Sequence, residues 1–149
     1  MYVSHYWRLL AMTALSFIAM YVLMYAMVFR WPDVYPNVNQ LYMAGLMTAP
    51  MIVIELLLMG GMYNIRTANI AIMISAVVAA ILLFSLIRQQ SAVGDVQFLK
   101  SMIPHHSGAI LMCERAPVEN TEIKALCETI IEGQQAEIEQ MKKLLASIQ

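Results

Sequence analysis

Charge is scarce in this sequence. Of its 149 residues only 13% are Asp, Glu, Lys or Arg, about half the share of an ordinary soluble domain. The net charge is −1, so no basic surface is available for nucleic acid. There are only two cysteines and three histidines, and no Cys-x-x-Cys pair that would suit a thiolate-rich zinc site or a haem attachment. No Glu-x-x-His pair of the carboxylate-bridged iron type occurs. No phosphate-binding glycine loop, nucleophile beside a base or paired catalytic carboxylates are visible, so an enzyme is not expected.

What is abundant is apolar. Hydrophobic residues make up 60% of the chain and the mean hydropathy is +0.65. From Leu9 to Ile87 the charges are Arg30, Asp33, Glu55 and Arg66 alone; most of the rest lie beyond Arg88. Three apolar runs stand out, Leu9–Phe29, Leu41–Tyr63 and Ala68–Ile87, of 21, 23 and 20 residues. Each reaches the ~20 residues a helix needs to cross a hydrocarbon core. Trp7, Trp31, Tyr35 and Tyr63 sit near the ends of these runs, where amphipathic rings favour the headgroup region. The first run lacks a small-x-small cleavage signal and reads as a retained anchor. The expectation is an all-α protein, with three membrane helices in residues 1–88 and a polar tail in 89–149. Arg8 and Arg66 balance Arg30 and Arg88, so charge alone does not orient it.

The tail reads as a helical hairpin. Asp95 is a candidate cap for its first helix, and Phe98, Met102, His105, Ala109, Met112 and Ala116 recur at steps of three and four. Pro104 predicts a kink or a fresh helix start. Asn120 or Thr121 can cap the second helix, whose seam would run Cys127, Ile130, Gln134, Glu137, Met141, Leu144 and Ile148. Gly133 offers a point of close approach for a partner helix. Two helices make a poor core on their own, so a second copy completing a four-helix bundle is expected. The expected assembly is a homo-oligomer, most simply a dimer.

Two adjacent histidines, His105 and His106, lie within a turn of Met102. Met112 and Cys113 follow on the same helix, and Glu137 and Met141 lie on the other. Imidazole with thioether and thiolate selects monovalent copper, or silver as its mimic. The alternative is a packed core in which methionine is a flexible filler and the histidines satisfy buried hydrogen bonds.

The pattern Phe98-Leu99-x-x-Met102-Ile103-Pro104-His105-His106-x-x-Ala109-Ile110-x-Met112, followed by Ile130-Ile131-x-x-Gln134-x-x-Glu137-Ile138-x-x-Met141, resembles the family called domain of unknown function 305 (DUF305). That family includes CopM-like periplasmic copper-binding proteins. The resemblance spans Asp95 to about Leu145. It implies a ferritin-like helical bundle, an extracytoplasmic tail and a link to copper handling. It also carries the motif positions Met102, His105, His106, Met112, Gln134, Glu137 and Met141 onto this chain.

Cys113 and Cys127 fall on opposite arms of the hairpin near its turn. A disulfide ranks first because the tail is expected in an oxidising space; a reduced pair that helps bind copper and two buried hydrophobes remain open. In the second run Met43, Met47, Met51, Glu55 and Met59 recur in fours. They form a slowly winding stripe with one charge, which either packs or lines a soft-metal path. Glu55 is expected to face protein or a polar cavity rather than lipid.

The reading as a whole is a membrane-anchored copper-binding protein of a bacterial inner membrane, with a cytoplasmic amino terminus and a periplasmic or extracellular tail. Cu(I) is bound by Met102, His105, His106, Met112 and Met141, with Gln134 and Glu137 orienting the imidazoles and Cys113 and Cys127 as further possible ligands. Its partners would be membrane lipid, a second copy and other copper-handling proteins. The rival is a structural membrane protein whose hairpin mediates assembly and binds no metal. A haem-ligating redox protein is a weaker third.

Overall fold

The computed structural model describes residues 3–148. Five α-helices follow one another: α1 (Val3–Leu23), α2 (Val38–Leu58), α3 (Arg66–Arg88), α4 (Asp95–Arg115) and α5 (Thr121–Ser147). Short 3-10 turns occupy Met24–Met27, Trp31–Asp33 and Gly60–Met62, and no strand occurs among the described residues. The chain divides into two compact units.

The first unit comprises residues 1–23 and 39–91. Segments His5–Met27, Val38–Leu58 and Arg66–Arg88 are long and apolar enough to cross a membrane. The second span ends earlier than the sequence suggests, because Gly60 and Gly61 break the helix after Leu58. Pro50 lies inside α2 without ending it. Leu9, Leu56 and Tyr63 form a small core with Tyr6, Met12, Ile52, Ile72 and Met73. A Cβ on Gly45 would come within 2.8 Å of Leu83 Cδ1; a small residue here lets membrane helices approach. Leu15, Leu57, Leu58 and Ile81 are more than 60% exposed, the outward-facing apolar surface that lipid covers. The hydroxyls of Thr13, Thr48, Ser75 and Ser85 each donate to the carbonyl four residues back, which satisfies these four groups within an apolar bundle.

The second unit joins residues 24–38 to residues 92–149. The expected hairpin is there, with α4 packed along α5. Asn120 caps α5, its Oδ1 accepting from the amides of Glu122 at 2.8 Å and Ile123 at 3.2 Å. Gly94, not Asp95, precedes α4 at its cap. The core consists of Leu99, Ile103, Ile110, Ile138, Met141 and Leu145, with Phe29, Tyr35, Val96, Met102 and Ile131 against it. The buried stripe of α4 is therefore offset by one residue from the expected one. Phe98 and Met112 are about half exposed, as are Leu144 and Ile148 on α5.

Pro104 does not restart α4, which stays helical through it. A proline removes the amide that would pair with the carbonyl four residues back, here Lys100. Asn37 Nδ2 donates to that Lys100 oxygen at 3.4 Å, and Ser101 Oγ donates to Asn37 Oδ1 at 3.2 Å. Within the chain a Cβ on Gly133 meets nothing within 4 Å, whereas one on Gly108 would lie 3.3 Å from the Met27 carbonyl oxygen.

The covering segment is thus the loop between α1 and α2. Asp33 is buried and accepts hydrogen bonds from Ser107 Oγ at 2.8 Å and from Lys142 Nζ. Ser107 Oγ accepts in turn from the Phe29 amide at 3.0 Å, and Gln97 Oε1 accepts from the Val38 amide at 3.0 Å. These contacts tie residues 29–38 to both arms of the hairpin.

Candidate metal centre

Two turns of α4 and the facing turn of α5 bring the proposed ligands together only in part. His106 is buried, on the stripe that faces α5, one position beyond His105, which is exposed on the flank. Neighbouring helical side chains diverge by about 100°, and the two imidazole centroids lie 6.1 Å apart. Met141 is buried on α5 and Met102 is half-buried on α4, both packed in the core. Met112 projects outward, 54% exposed. Gln134 is half-buried.

His106 is the best-defined member. Its Nδ1 lies 2.9 Å from the Met102 carbonyl oxygen and its Nε2 lies 2.7 Å from Glu137 Oε2. A carbonyl only accepts, so Nδ1 carries a proton and donates it. That leaves Nε2 as the variable atom, facing a carboxylate that likewise only accepts when ionised. At that distance a single proton lies between them, so the contact is a hydrogen bond between ring and carboxylate. The histidine side chain is 11% exposed and the glutamate 57%, so the pair opens to solvent on the glutamate side. A ring fixed by an Nδ1–H···O=C bond, with Nε2 left for a cation, is how metal-binding histidines are usually oriented.

Among the described residues no three His, Cys, Asp or Glu side chains converge on one point. Any metal held here must draw on the thioethers. Cys113 and Cys127 are free thiols that face each other across the hairpin. The hydrogen bond to Cys127, with burial and the neighbouring thiol's charge, raises the Cys113 pKa to about 11; a thiol so shifted is a poor nucleophile at neutral pH.

Met43, Met47 and Met59 of α2 are each about 40% exposed, and two cavities of the first unit, about 400 and 280 Å³, are lined without any methionine. Glu55 accepts a hydrogen bond from Tyr63 Oη at 3.1 Å and borders a cavity of about 200 Å³.

The comparisons with known proteins agree with the hairpin's sequence pattern. The family model described as domain of unknown function (DUF305) matches residues 76–145. An uncharacterized protein, L153, of Acanthamoeba polyphaga mimivirus is 36% identical over 115 residues, covering 76% of this chain and 74% of that one. This chain belongs to the DUF305 family. The family match begins at Ala76, within α3 and well before the Asp95 start that the sequence pattern suggests. The likeness to the viral protein spans 115 residues, more than the tail after Arg88 can supply, so it reaches into the membrane-spanning helices. No solved structure matches the chain.

Sequence reasoning missed the Asp33–Ser107–Lys142 cluster and the docking of Asn37. A signal for each was present. Asp33 is one of four charges in a long apolar stretch, and Pro104 announces a carbonyl in need of a donor.

Proposed function

We infer that this DUF305 protein is a membrane-anchored binder of a soft monovalent metal ion, Cu(I) or its mimic Ag(I), held by the hairpin and serving copper handling or tolerance. The observation that carries the reading is the His106 ring, oriented at Nδ1 by the Met102 carbonyl so that Nε2 meets the half-exposed carboxylate of Glu137 beside two methionines of the core. The ion replaces the shared proton at Nε2, with Met102 and Met141 as the nearest soft donors by position and His105 and Met112 on the exposed flank. Thioether and imidazole together favour Cu(I) over Zn(II). Gln134 and Glu137 orient the donors.

The second unit's make-up fits a chain that crosses three times. It is built from the loop after α1 and the tail after α3, the two segments that a chain crossing three times delivers to the same face. With the amino terminus cytoplasmic, both lie outside. The test of the function is metal analysis of full-length protein purified from membranes without chelator. Copper should accompany the native chain and fall in His106→Ala; equal copper in both would remove the assignment.

A second reading rests on a different observation. Phe98, Ile123, Leu126, Leu144 and Ile148 are each about half exposed on the hairpin, so the unit retains an apolar surface suited to a second copy. In that reading the hairpin is an assembly module, and the histidine–glutamate pair is a hydrogen bond only.

A further inference from the structure

The third histidine of the chain lies outside the hairpin and has no role in the reading above. His5, on the first turn of α1, borders a cavity of about 200 Å³ shared with Arg8, Met12, Glu55, Met62 and Tyr63. Its Nδ1 is buried and meets no hydrogen-bond partner. A buried polar atom left unpaired is unfavourable, so it calls for a partner such as a water or an ion. The other walls supply one carboxylate and two thioethers. Glu55 Oε1 accepts from Tyr63 Oη at 3.1 Å, which leaves further lone pairs on the carboxylate.

The walls are held in place by a separate polar network. Tyr6 Oη donates to Asn69 Oδ1 at 2.8 Å, and Asn69 Nδ2 donates to the Tyr63 carbonyl at 2.7 Å. The rings of Tyr6 and Tyr63 lie 5.4 Å apart. The start of α1 and the segment after α2 are therefore fixed around the cavity.

We propose that His5, Glu55, Met12 and Met62 form a second soft-cation site, at the end of the membrane bundle where α1 begins and α2 ends. The donor set decides the class. One imidazole and two thioethers select Cu(I) or Ag(I) over hard cations. The single carboxylate neutralises one positive charge. A divalent ion would leave a net charge in an apolar bundle, which is unfavourable. Arg8 also borders the cavity, but its side chain is exposed and no ion pair joins it to Glu55 among the described residues. It does not fill the counter-ion role.

The site is independent of the hairpin, and removing the hairpin's histidines isolates it. The full-length His105→Ala/His106→Ala variant retains His5 as its one histidine, so the imidazole ¹⁵N signal of the protein in detergent reports this site alone. Silver ion is the probe. Titration should move the Nδ1 signal to saturation once the free thiols Cys113 and Cys127 have taken their share of silver. Met12→Leu/Met62→Leu, which conserves volume and packing, should weaken that binding at least tenfold, and Glu55→Gln should weaken it as well. A His5 signal unmoved by silver in the folded protein overturns the site. A signal that moves with unchanged affinity in the methionine variant overturns the ligand set. Failure of the hairpin reading looks different: native protein and the His105→Ala/His106→Ala variant would bind the same amount of silver.

Discussion

His106 differs from His105 in what each ring touches, although the two are adjacent in sequence. The buried ring is locked at Nδ1 by the Met102 carbonyl and presents Nε2 to Glu137; the exposed ring has no such frame. Loss of His106 should therefore weaken Cu(I) binding more than loss of His105, and Glu137→Gln should weaken it by about 10–100-fold through the ring's orientation. Competition against a Cu(I) chelator measures all three. The cysteines give a pH-dependent test. Because the Cys113 pKa is raised from 9.0 to about 11, its thiolate is about a hundredfold rarer at pH 8 than that of an unperturbed thiol. Alkylation by iodoacetamide should be slow there and accelerate with each pH unit up to about 11. Cys127→Ala removes the hydrogen bond, lowers the Cys113 pKa and should speed the reaction at pH 8; an unchanged rate would contradict the thiol contact. At this scale the sequence showed which residue types matter but not their directions. A helix repeats every 3.6 residues, so a stripe read in threes and fours slides by one position unnoticed. His105 and His106 exchange roles under such a slide.

Elements were more legible than faces. The three apolar runs, the tail's two helices and the Asn120 cap follow from composition and spacing. What spacing could not give was the segment that covers α4, because the loop of residues 24–38 is separated from it by two membrane helices. Pro104 and Asn37 form the clearest link between them. The proline deprives Lys100 of its helical partner, and Asn37 supplies the missing donor. Asn37→Ala should thus destabilise the second unit by about 1–3 kcal/mol, the cost of an orphaned buried acceptor together with the lost contacts. In a Pro104→Ala background the new amide pairs with Lys100 and the same substitution should cost less. Thermal unfolding of the four proteins of this cycle measures the coupling; additive effects would mean that Asn37 and Pro104 act separately. Lys142→Met tests the second tether. It leaves Asp33 buried without its cation, and should cost roughly 3 kcal/mol.

For the whole molecule, three helices are long and apolar enough to cross a membrane, and three crossings would put the two chain ends on opposite sides. A membrane-impermeant thiol reagent should label Cys113 and Cys127 in intact cells only if the tail lies outside, with denatured protein in permeabilised cells as the control for burial. Labelling that requires permeabilisation would place the tail in the cytoplasm. Light scattering corrected for detergent should show more than one chain, since the half-exposed apolar residues of α4 and α5 remain to be covered; a well-folded monomer would leave them to lipid. The central claim concerns the hairpin's cation, and one titration addresses it most directly. Full-length protein in detergent is titrated against a chelator of known Cu(I) affinity, beside His105→Ala/His106→Ala. We expect the native chain to hold Cu(I) and the double variant to lose the tighter-bound ion, with affinity down at least tenfold. Equal Cu(I) affinity and stoichiometry in the two proteins would contradict metal binding by the hairpin.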